Sequence, residues 1–367
     1  MKYFIIAGEA SGDLHGSNLI KALKLQDANS NFMCWGGDKM EATGATITKH
    51  IKELAFMGFI EVLVNIKTIM QNFTLCKSQI QSYKPDVLIL IDYPGFNLRM
   101  AEWAKTNKLK VIYYISPQVW AWKENRVKKI KQFVDKMICI LPFEKDFYKK
   151  WNFDVDYIGH PLIEAIEDFK LNLKTQNPIL QNKKIIAILP GSRLQEVKTK
   201  LPLMLSVQTF FPDYLFVVAQ SPTLDKEVYQ PYMNPNVVLL QHQTYEILNS
   251  ATAALVTSVT ATVETALFGV PEVVCYKGNI FSYQIAKWLI KIKYISLVNL
   301  IANKLVVKEL IQHQLNTENI KTELQKILEP ANTSRLQQDY AQLKQELGNG
   351  TASKNAAEII VGFCKKI

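Results

Sequence analysis

The chain has 367 residues, of which 48% are hydrophobic and 21% charged, and this composition excludes an intrinsically disordered protein. The length suits two domains of about 150–200 residues better than one. The net charge of +10 favours an anionic partner, which could be a nucleic acid, a membrane surface or a small substrate. No nucleic-acid-binding motif accompanies the charge, so we expect an anionic surface or substrate and no nucleic acid.

The N-terminus and the cysteines favour a cytoplasmic protein. The chain begins on an apolar strand without a signal-peptide pattern, and no apolar run reaches the roughly 18 residues that span a bilayer. The five cysteines are scattered, odd in number and without a C-x-x-C pair. We therefore expect reduced thiols and no zinc site.

Apolar strands alternate with helical segments along nearly the whole chain, which predicts an α/β protein with parallel sheets covered by helices on both faces. The predicted strands of the first half cover residues 3–7, 32–35, 87–91, 111–114 and 137–141. Those of the second half cover residues 185–189, 215–218, 237–240, 253–256 and 273–276. A polar stretch at 171–184 separates the halves. We predict two doubly wound, Rossmann-like domains facing across a cleft, over residues 1–165 and 166–367, the second ending in two or three helices.

The first predicted strand ends in a loop rich in glycine and polar residues. Its spacing is G-x3-G-x3-G, which differs from the G-x-G-x-x-G of dinucleotide-binding folds. The loop and the following helix start carry Glu9, Ser11, Gly12, Asp13 and His15. Because ligands of open α/β sheets bind at the carboxyl ends of strands, we expect a functional site here.

Two further strand ends in the first half carry polar or aromatic groups. The strand at 87–91 is followed by Asp92, whose carboxylate would point into the same crevice; the alternative is an aspartate that caps the next helix. After the strand at 111–114, Gln118 and Trp122 could line a sugar or acyl site. The alternative for the tryptophan is core packing.

Two strand ends in the second half have the features of anion sites. Gly191, Ser192 and Arg193 precede a helix, where backbone amides and a guanidinium would bind a phosphate; the alternative is a tight turn with a serine cap. A second helix start carries the hydroxyl side chains of Ser258, Thr260 and Thr262, where the helix dipole favours a diphosphate. Glu264 lies one turn further on and could bind a ribose diol. The alternative is an ordinary helix cap.

The segment 53–73 is unusually apolar and would place more hydrophobic side chains on a helix than one buried face needs. We expect it to contact lipid or a membrane surface, with core packing as the alternative. The side chains assigned to this contact are Phe56, Met57, Phe59, Ile60, Leu63, Ile66 and Met70.

Taken together, the motifs resemble those of the lipid-A-disaccharide synthases, which are GT-B-type inverting glycosyltransferases. The resemblance is nearly end to end and includes GEASGD at 8–13, SPQVWAW at 116–122, LPFEK at 141–145, IGHP at 158–161, LPGSR at 189–193 and YISLVNL at 294–300. It implies transfer from UDP-2,3-diacylglucosamine to 2,3-diacylglucosamine 1-phosphate (lipid X), with a β-1,6 linkage and release of UDP. It also implies a peripheral enzyme on the anionic inner-membrane surface. A homodimer is an open alternative to a monomer, because relatives can exchange C-terminal segments.

The resemblance extends to residue roles. The acceptor hydroxyl would be deprotonated by Asp92, with Glu9 or Asp13 as alternatives. Acceptor-side contacts would come from Ser11, Gly12, His15, Gln118, Trp122 and His160, of which the two histidines could bind the acceptor phosphate and His160 could equally be a hinge. Donor-side contacts would come from Gly191, Ser192, Arg193, Ser258, Thr260, Thr262, Glu264 and Asn299. Because these groups would stabilise the leaving UDP, we expect no metal ion and no other cofactor.

The sequence departs from the family pattern at two positions. The family often has Asp-x-Pro-Asp-Phe-Asn where this chain has Gly95 as the fourth residue, so a catalytic role assigned to that acid cannot be transferred. A second departure is Val259, which replaces the glycine of Ser-Gly-Thr and predicts a different backbone there.

Two other functions are compatible with parts of the sequence. A soluble UDP-sugar enzyme of the same fold, such as a UDP-N-acetylglucosamine 2-epimerase, would share the donor site but would not need the apolar segment. A non-catalytic basic module that docks on anionic membranes would leave the loop at 8–16 and the helix start at 258–264 unexplained.

Overall fold

The computed structural model describes residues 1–54, 66–173, 177–257, 259–278 and 293–365. The chain divides into two compact units, each containing one parallel β-sheet. The first unit comprises Met1–Glu164 and Gly348–Ile367, and the second comprises Ala165–Leu347. The predicted α/β class with two Rossmann-like sheets is confirmed.

The first unit contains a seven-stranded sheet in the order β3-β2-β1-β4-β5-β6-β7, with every neighbouring pair parallel. Its strands are β1 (Lys2–Ala7), β2 (Asn31–Gly36), β3 (Thr46–His50), β4 (Val87–Ile91), β5 (Lys110–Tyr114), β6 (Lys136–Cys139) and β7 (Asp156–Tyr157). The strand order reverses between β1 and β4, so the loops that follow these two strands flank the topological switch point. Ligands of open α/β sheets bind at such a point.

The helices of this unit lie between successive strands. They are α1 (Ala10–Gln26), α2 (Asp38–Glu41), α3 (Ile66–Tyr83), α4 (Pro94–Thr106), α5 (Val119–Trp122), α6 (Arg126–Phe133), α7 (Glu144–Lys149) and the start of α8 (Pro161–Asn172). The central strands β1 and β4 are completely buried apart from Lys2, as expected for strands covered on both faces. Phe96 of α4 stacks on Trp35 of β2 and on Phe73 of α3, which fixes α4 beside the switch point.

The second unit contains a six-stranded parallel sheet in the order β10-β9-β8-β11-β12-β13. Its strands are β8 (Lys184–Leu189), β9 (Tyr214–Gln220), β10 (Val237–Gln241), β11 (Ala253–Val256), β12 (Glu272–Tyr276) and β13 (Lys308–Ile311). Its helices are α9 (Leu194–Leu205), α10 (Thr244–Ser250), α11 (Val259–Leu267), α12 (Leu297–Ala302), α13 (Thr317–Leu328) and α14 (Pro330–Leu347). Here the order reverses between β8 and β11, so the loops after these strands flank a second switch point.

The predicted domain division differs from the observed one at the C-terminus. The tail was predicted to form two or three helices, and it forms three, α13, α14 and α15 (Ala352–Lys365), of which α15 packs against α1 in the first unit. Lys110 on β5 donates a hydrogen bond to the carbonyl of Cys364 at 3.0 Å. The predicted second domain therefore loses its last helix to the first unit.

The sequence also predicts reduced cysteines and no membrane-spanning segment. All five cysteines are free and buried, as expected for reduced thiols. Among the described residues, no helix combines the length and apolar character that crossing a bilayer requires.

Candidate functional site

The loops after β1 and β4 pack against each other at the first switch point. The ring of Tyr93 lies so close to Gly8 that an added Cβ would come within 2.4 Å of it, so only glycine fits at this position. Tyr93 also stacks on Phe96 with ring centroids 5.7 Å apart. The glycine that ends β1 is therefore required by an aromatic side chain from the neighbouring strand end.

The turn after β4 has a strained backbone that several side chains hold in place. Asp92 and Tyr93 both have positive φ angles, of 43° and 47°, which non-glycine residues rarely adopt. The amide of Asn97 donates to the carbonyls of Ile91 at 3.1 Å and Asp92 at 2.8 Å. The hydroxyl of Tyr113 donates to the same Asp92 carbonyl at 2.5 Å. Such strain, when it is held by surrounding structure, is typical of functional sites.

The carboxyl group of Asp92 has the electrostatics of a general base. Burial, followed by the nearby charge of Glu9, raises the pKa of Asp92 to about 7. A base with a pKa near the operating pH is efficient because it is largely deprotonated and still basic enough to take a proton. The structure thus brings together two of the three predicted carboxylates, Asp92 and the exposed Glu9.

The third predicted carboxylate, Asp13, has a different environment. It is only 4% exposed, and its oxygens accept hydrogen bonds from the backbone amides of Gly37 at 2.8 Å, Lys39 at 3.0 Å and Met40 at 3.0 Å. These amides begin α2, so Asp13 satisfies the donors of a helix N-terminus. Direct contact with a substrate would require breaking this set of bonds.

His15 and His160 are buried in the first unit and neutral at physiological pH. Burial lowers the pKa of His15 to about 4, and burial together with the neighbouring His15 lowers the pKa of His160 to about 3. Nδ1 of His160 accepts a hydrogen bond from the amide of Leu162 at 3.2 Å, in the first turn of α8. Neither ring offers a positive charge to a phosphate near pH 7. Of the other loop residues, Ser11 is exposed and Gly12 is buried. A Cβ added at Gly12 would lie 3.1 Å from the Cβ of Ala7.

The two tryptophans that follow β5 have different environments. Trp120 donates to the buried carboxyl of Glu144 at 3.2 Å and packs edge-on against Phe143, whereas Trp122 is 49% exposed. Burial raises the pKa of Glu144 to about 7, and two backbone amides also donate to it. Gln118 is exposed at the start of α5. Trp120 is thus partly buried and held by these contacts, and Trp122 is available at the surface.

At the second switch point, an internal carboxylate occupies the predicted anion site. The amides of Ser192 and Arg193 donate to Oε2 of Glu196 at 3.2 and 3.4 Å. Gly191 has a φ of +106°, and an added Cβ there would meet the same oxygen at 2.4 Å. Glu196 also pairs with the buried Lys200 at 3.7 Å. The loop therefore binds an oxyanion, which in this arrangement comes from the chain itself.

The predicted hydroxyl residues at the start of α11 differ in their exposure. Thr260 is partly exposed, whereas Thr262 is fully buried and donates to the carbonyl of Val259 at 2.7 Å. Ser258 lies outside the described residues. One turn on, Glu264 accepts a hydrogen bond from the hydroxyl of Tyr245 at 3.1 Å, and burial raises the pKa of Glu264 to about 7.

Asn299 has no free hydrogen-bonding group. Its Oδ1 accepts from the amides of Val306 at 2.8 Å and Val307 at 2.9 Å, and its Nδ2 donates to the Val307 carbonyl at 2.8 Å and to Glu309 at 3.0 Å. The residue is completely buried between α12 and β13. A direct contact with the donor would require these bonds to break.

Most of the predicted apolar contact segment cannot be placed. Phe56, Met57, Phe59, Ile60, Leu63 and the side chain of Ile66 lie outside the described residues. Met70 on α3 is 56% exposed, and Phe73 one turn later is buried against Phe96. Core packing and surface exposure therefore alternate within one helix.

Residues that the sequence analysis did not single out complete both sites. Tyr113 and Glu144 support the first, and Tyr245 and Lys200 support the second. Arg126 belongs to a basic run that resembles an ordinary solvated helix face. Position was the available signal for Glu144, Tyr245 and Lys200, which lie on helices that follow strand ends, whereas Tyr113 lies inside β5 and resembles any apolar strand residue.

Two Rossmann-like units in one chain, each with polar groups at its switch point, define the GT-B class of glycosyltransferases and the sugar-nucleotide epimerases that share the fold. The crystal structure of UDP-GlcNAc 2-epimerase from Neisseria meningitidis bound to UDP-GlcNAc is similar, with a TM-score of 0.69 and 16% identity over 99% of this chain and 100% of that chain. At this identity the likeness concerns the fold alone.

Sequence comparison separates the two kinds of enzyme. Residues 3–362 match the family model described as lipid-A-disaccharide synthetase. The lipid-A-disaccharide synthase of Syntrophus aciditrophicus (strain SB) is 38% identical, over 99% of this chain and 97% of the relative. That of Geobacter metallireducens (strain ATCC 53774 / DSM 7210 / GS-15) is 35% identical, over 100% and 98%. The chain belongs to the lipid-A-disaccharide synthetase family and is a glycosyltransferase of lipid A biosynthesis.

Proposed function

We propose that the chain transfers a 2,3-diacylglucosaminyl group from UDP to the 6-hydroxyl of 2,3-diacylglucosamine 1-phosphate. The bond from the anomeric carbon to UDP breaks, a β-1,6 bond forms, and the configuration at that carbon inverts. The observation that carries this proposal is Asp92, a carboxyl group with a pKa of about 7 on a strained turn at a switch point.

In this mechanism, Asp92 takes the proton of the acceptor hydroxyl as the hydroxyl attacks. Glu9 keeps the pKa of Asp92 high enough for this task. General-base catalysis of this kind contributes about 10²–10⁴-fold to the rate. Asp13 has a supporting role, because it holds the start of α2 behind the loop that carries Glu9.

The donor's diphosphate would bind at the start of α9. Its oxygens would displace the Glu196 carboxylate from the amides of Ser192 and Arg193, and the Arg193 guanidinium would stabilise the charge that develops on UDP. Thr260 at the start of α11 would contact the diphosphate, and Glu264, oriented by Tyr245, would bind the ribose. With these groups available, the proposed reaction needs no metal ion.

Both substrates carry acyl chains, so we place the reaction at the cytoplasmic surface of the inner membrane. The net charge of +10 favours an anionic surface, and Met70 shows that part of α3 is exposed and apolar. Asn299 enters as a positioning residue for the backbone at 306–309. A homodimer is compatible with this assignment.

The decisive experiment incubates the purified protein with both substrates in detergent and EDTA. We expect UDP and the disaccharide 1-phosphate in equal amounts, measured by mass spectrometry. Asp92→Asn should lower turnover at least about 10²-fold, whereas Asp154→Asn, a change at an exposed aspartate of the same unit, should leave it unchanged. UDP release without acceptor would instead indicate a hydrolase or an epimerase, and full activity of Asp92→Asn would exclude Asp92 as the base.

A further inference from the structure

Two basic side chains lie close to one exposed indole at the end of α5. Nζ of Lys123 lies 4.1 Å from the centroid of the Trp122 ring, and Cζ of Arg126 lies 5.7 Å from it. Trp122 is 49% exposed, and both basic residues are partly exposed. Cation–π contact with the indole holds the two positive charges close to each other.

Within the described part of the chain, neither basic group has an acidic partner. Neighbouring cations do have one: Lys105 pairs with Asp135, and Lys129 on α6 pairs with Glu102 at 3.2 Å. Burial and the charge of Arg126 both lower the pKa of Lys123. Two like charges held together without a counterion repel each other, and a dianion bound between them would remove this repulsion.

Arg126 is the first residue of α6, and α6 packs against α4, the helix that directly follows the turn carrying Asp92. The charge of Arg126 lowers the pKa of Tyr113, which burial otherwise raises. The Tyr113 hydroxyl in turn donates to the Asp92 carbonyl at 2.5 Å. A ligand that contacts Arg126 is therefore close to the proposed base.

We propose that Lys123 and Arg126, presented on Trp122, bind the anomeric phosphate of the acceptor sugar. The inference rests on the proposed transfer reaction, in which the acceptor is a sugar 1-phosphate. A phosphomonoester carries close to two negative charges and three acceptor oxygens, which suits two cations better than one.

The test compares two acceptors, 2,3-diacylglucosamine 1-phosphate and its dephosphorylated analogue, in neutral detergent micelles. For Lys123→Gln and Arg126→Gln, we expect KM for the phosphorylated acceptor to rise about 10- to 100-fold per variant, the range for a lost charge-assisted hydrogen bond. The kcat, the donor KM and the kinetics with the dephosphorylated acceptor should change less than about twofold. Lys128→Gln, at an exposed lysine of α6, is the matched control and should behave as wild type.

The same chemistry occurs in lipid headgroups, so a second arm measures co-sedimentation with phosphatidylglycerol and phosphatidylcholine vesicles. We expect the Lys123→Gln and Arg126→Gln variants to bind vesicles as wild type does. Loss of vesicle binding with an unchanged ratio of the two acceptor KM values would overturn the proposal in favour of a membrane contact. A wild-type protein that makes no disaccharide from either acceptor would refute the proposed function itself, whereas wild-type activity with unaffected variants would refute only this subsite.

Discussion

At the residue scale, Glu9 is predicted to set the pH dependence of the reaction through its charge. The charge raises the pKa of Asp92, so in Glu9→Gln the pKa of Asp92 should fall below about 7. The acidic limb of kcat/KM against pH should then move to lower pH by about half a unit or more, because nearby like charges couple by about 1 kcal/mol or more. The measurement is the pH profile from 5 to 9. Glu41→Gln, at an exposed position of α2, is the control and should leave the acidic limb in place. An acidic limb that does not move in Glu9→Gln would show that Glu9 does not influence the pKa of the base.

Substitution of Gly95 by aspartate tests the departure of this chain from the family pattern. It is the second residue of α4, is exposed, and an added Cβ there would meet nothing within 4 Å. Gly95→Asp should raise the free energy of unfolding by about 0.5–1.5 kcal/mol, because it removes a glycine from a helix and places a negative charge at its N-terminus. Urea denaturation measures the change, and Gly95→Ala isolates the backbone contribution.

The same substitution distinguishes two positions for the base. If Asp92 is the base, the double variant Asp92→Asn/Gly95→Asp should remain as inactive as Asp92→Asn. Recovery of wild-type turnover would show that an acid at position 95 can replace Asp92 in the reaction.

The sequence predicts the place of functional groups better than their roles. Asp92 and Gly191 were found because they follow apolar strands, which is a local signal. Asp13 could not be distinguished from a catalytic acid, because the amides it binds lie 24 to 27 residues further along the chain. The donor-side role of Asn299 comes from the family resemblance, and the sequence does not reveal its structural role because its partners lie seven to ten residues away in a loop without a sequence signature.

At the scale of elements, Asn299 is predicted to hold the connection between α12 and β13. It makes four hydrogen bonds in a fully buried position, and Asn299→Ala would leave several buried partners unsatisfied. We expect a loss of about 2–4 kcal/mol in the free energy of unfolding, measured by urea denaturation. Asn172→Ala removes one exposed side-chain bond at the end of α8 and should cost less than about 0.5 kcal/mol. A loss below about 1 kcal/mol at Asn299 would contradict the structural role.

Strand prediction succeeded for strands with a continuous apolar run, including the edge strand β10, and failed at the other three sheet edges. All ten predicted strands exist, because a continuous apolar run is the signature of a central parallel strand. The missed strands are β3, β7 and β13. In β3, the sequence TITKH has little apolar character because the strand pairs only with β2 and stays partly exposed. The two residues of β7 are too few to form a pattern.

At the scale of the whole molecule, the sequence predicts two units but misplaces the tail. The boundary expected after residue 165 lies one residue from the observed change between Glu164 and Ala165. The amphipathic pattern of α15 shows that one face is buried and does not show which sheet it covers. That assignment comes from α1 and from contacts such as the Ser353 amide, which donates to Glu164 at 3.2 Å.

Removal of residues 348–367 should therefore destabilise the first unit selectively. Ile360 and Val361 on α15 are buried. Loss of each such buried apolar side chain should lower the free energy of unfolding of the first unit by about 1.5–3 kcal/mol. Hydrogen exchange should quicken at the amides of β1 and β4 and stay unchanged at those of β8 and β11, because α15 belongs to the first unit. Removal of residues 366–367 alone is the control and should alter neither sheet. Faster exchange confined to β8 and β11 would instead assign the last helix to the second unit, in agreement with the predicted domain bounds.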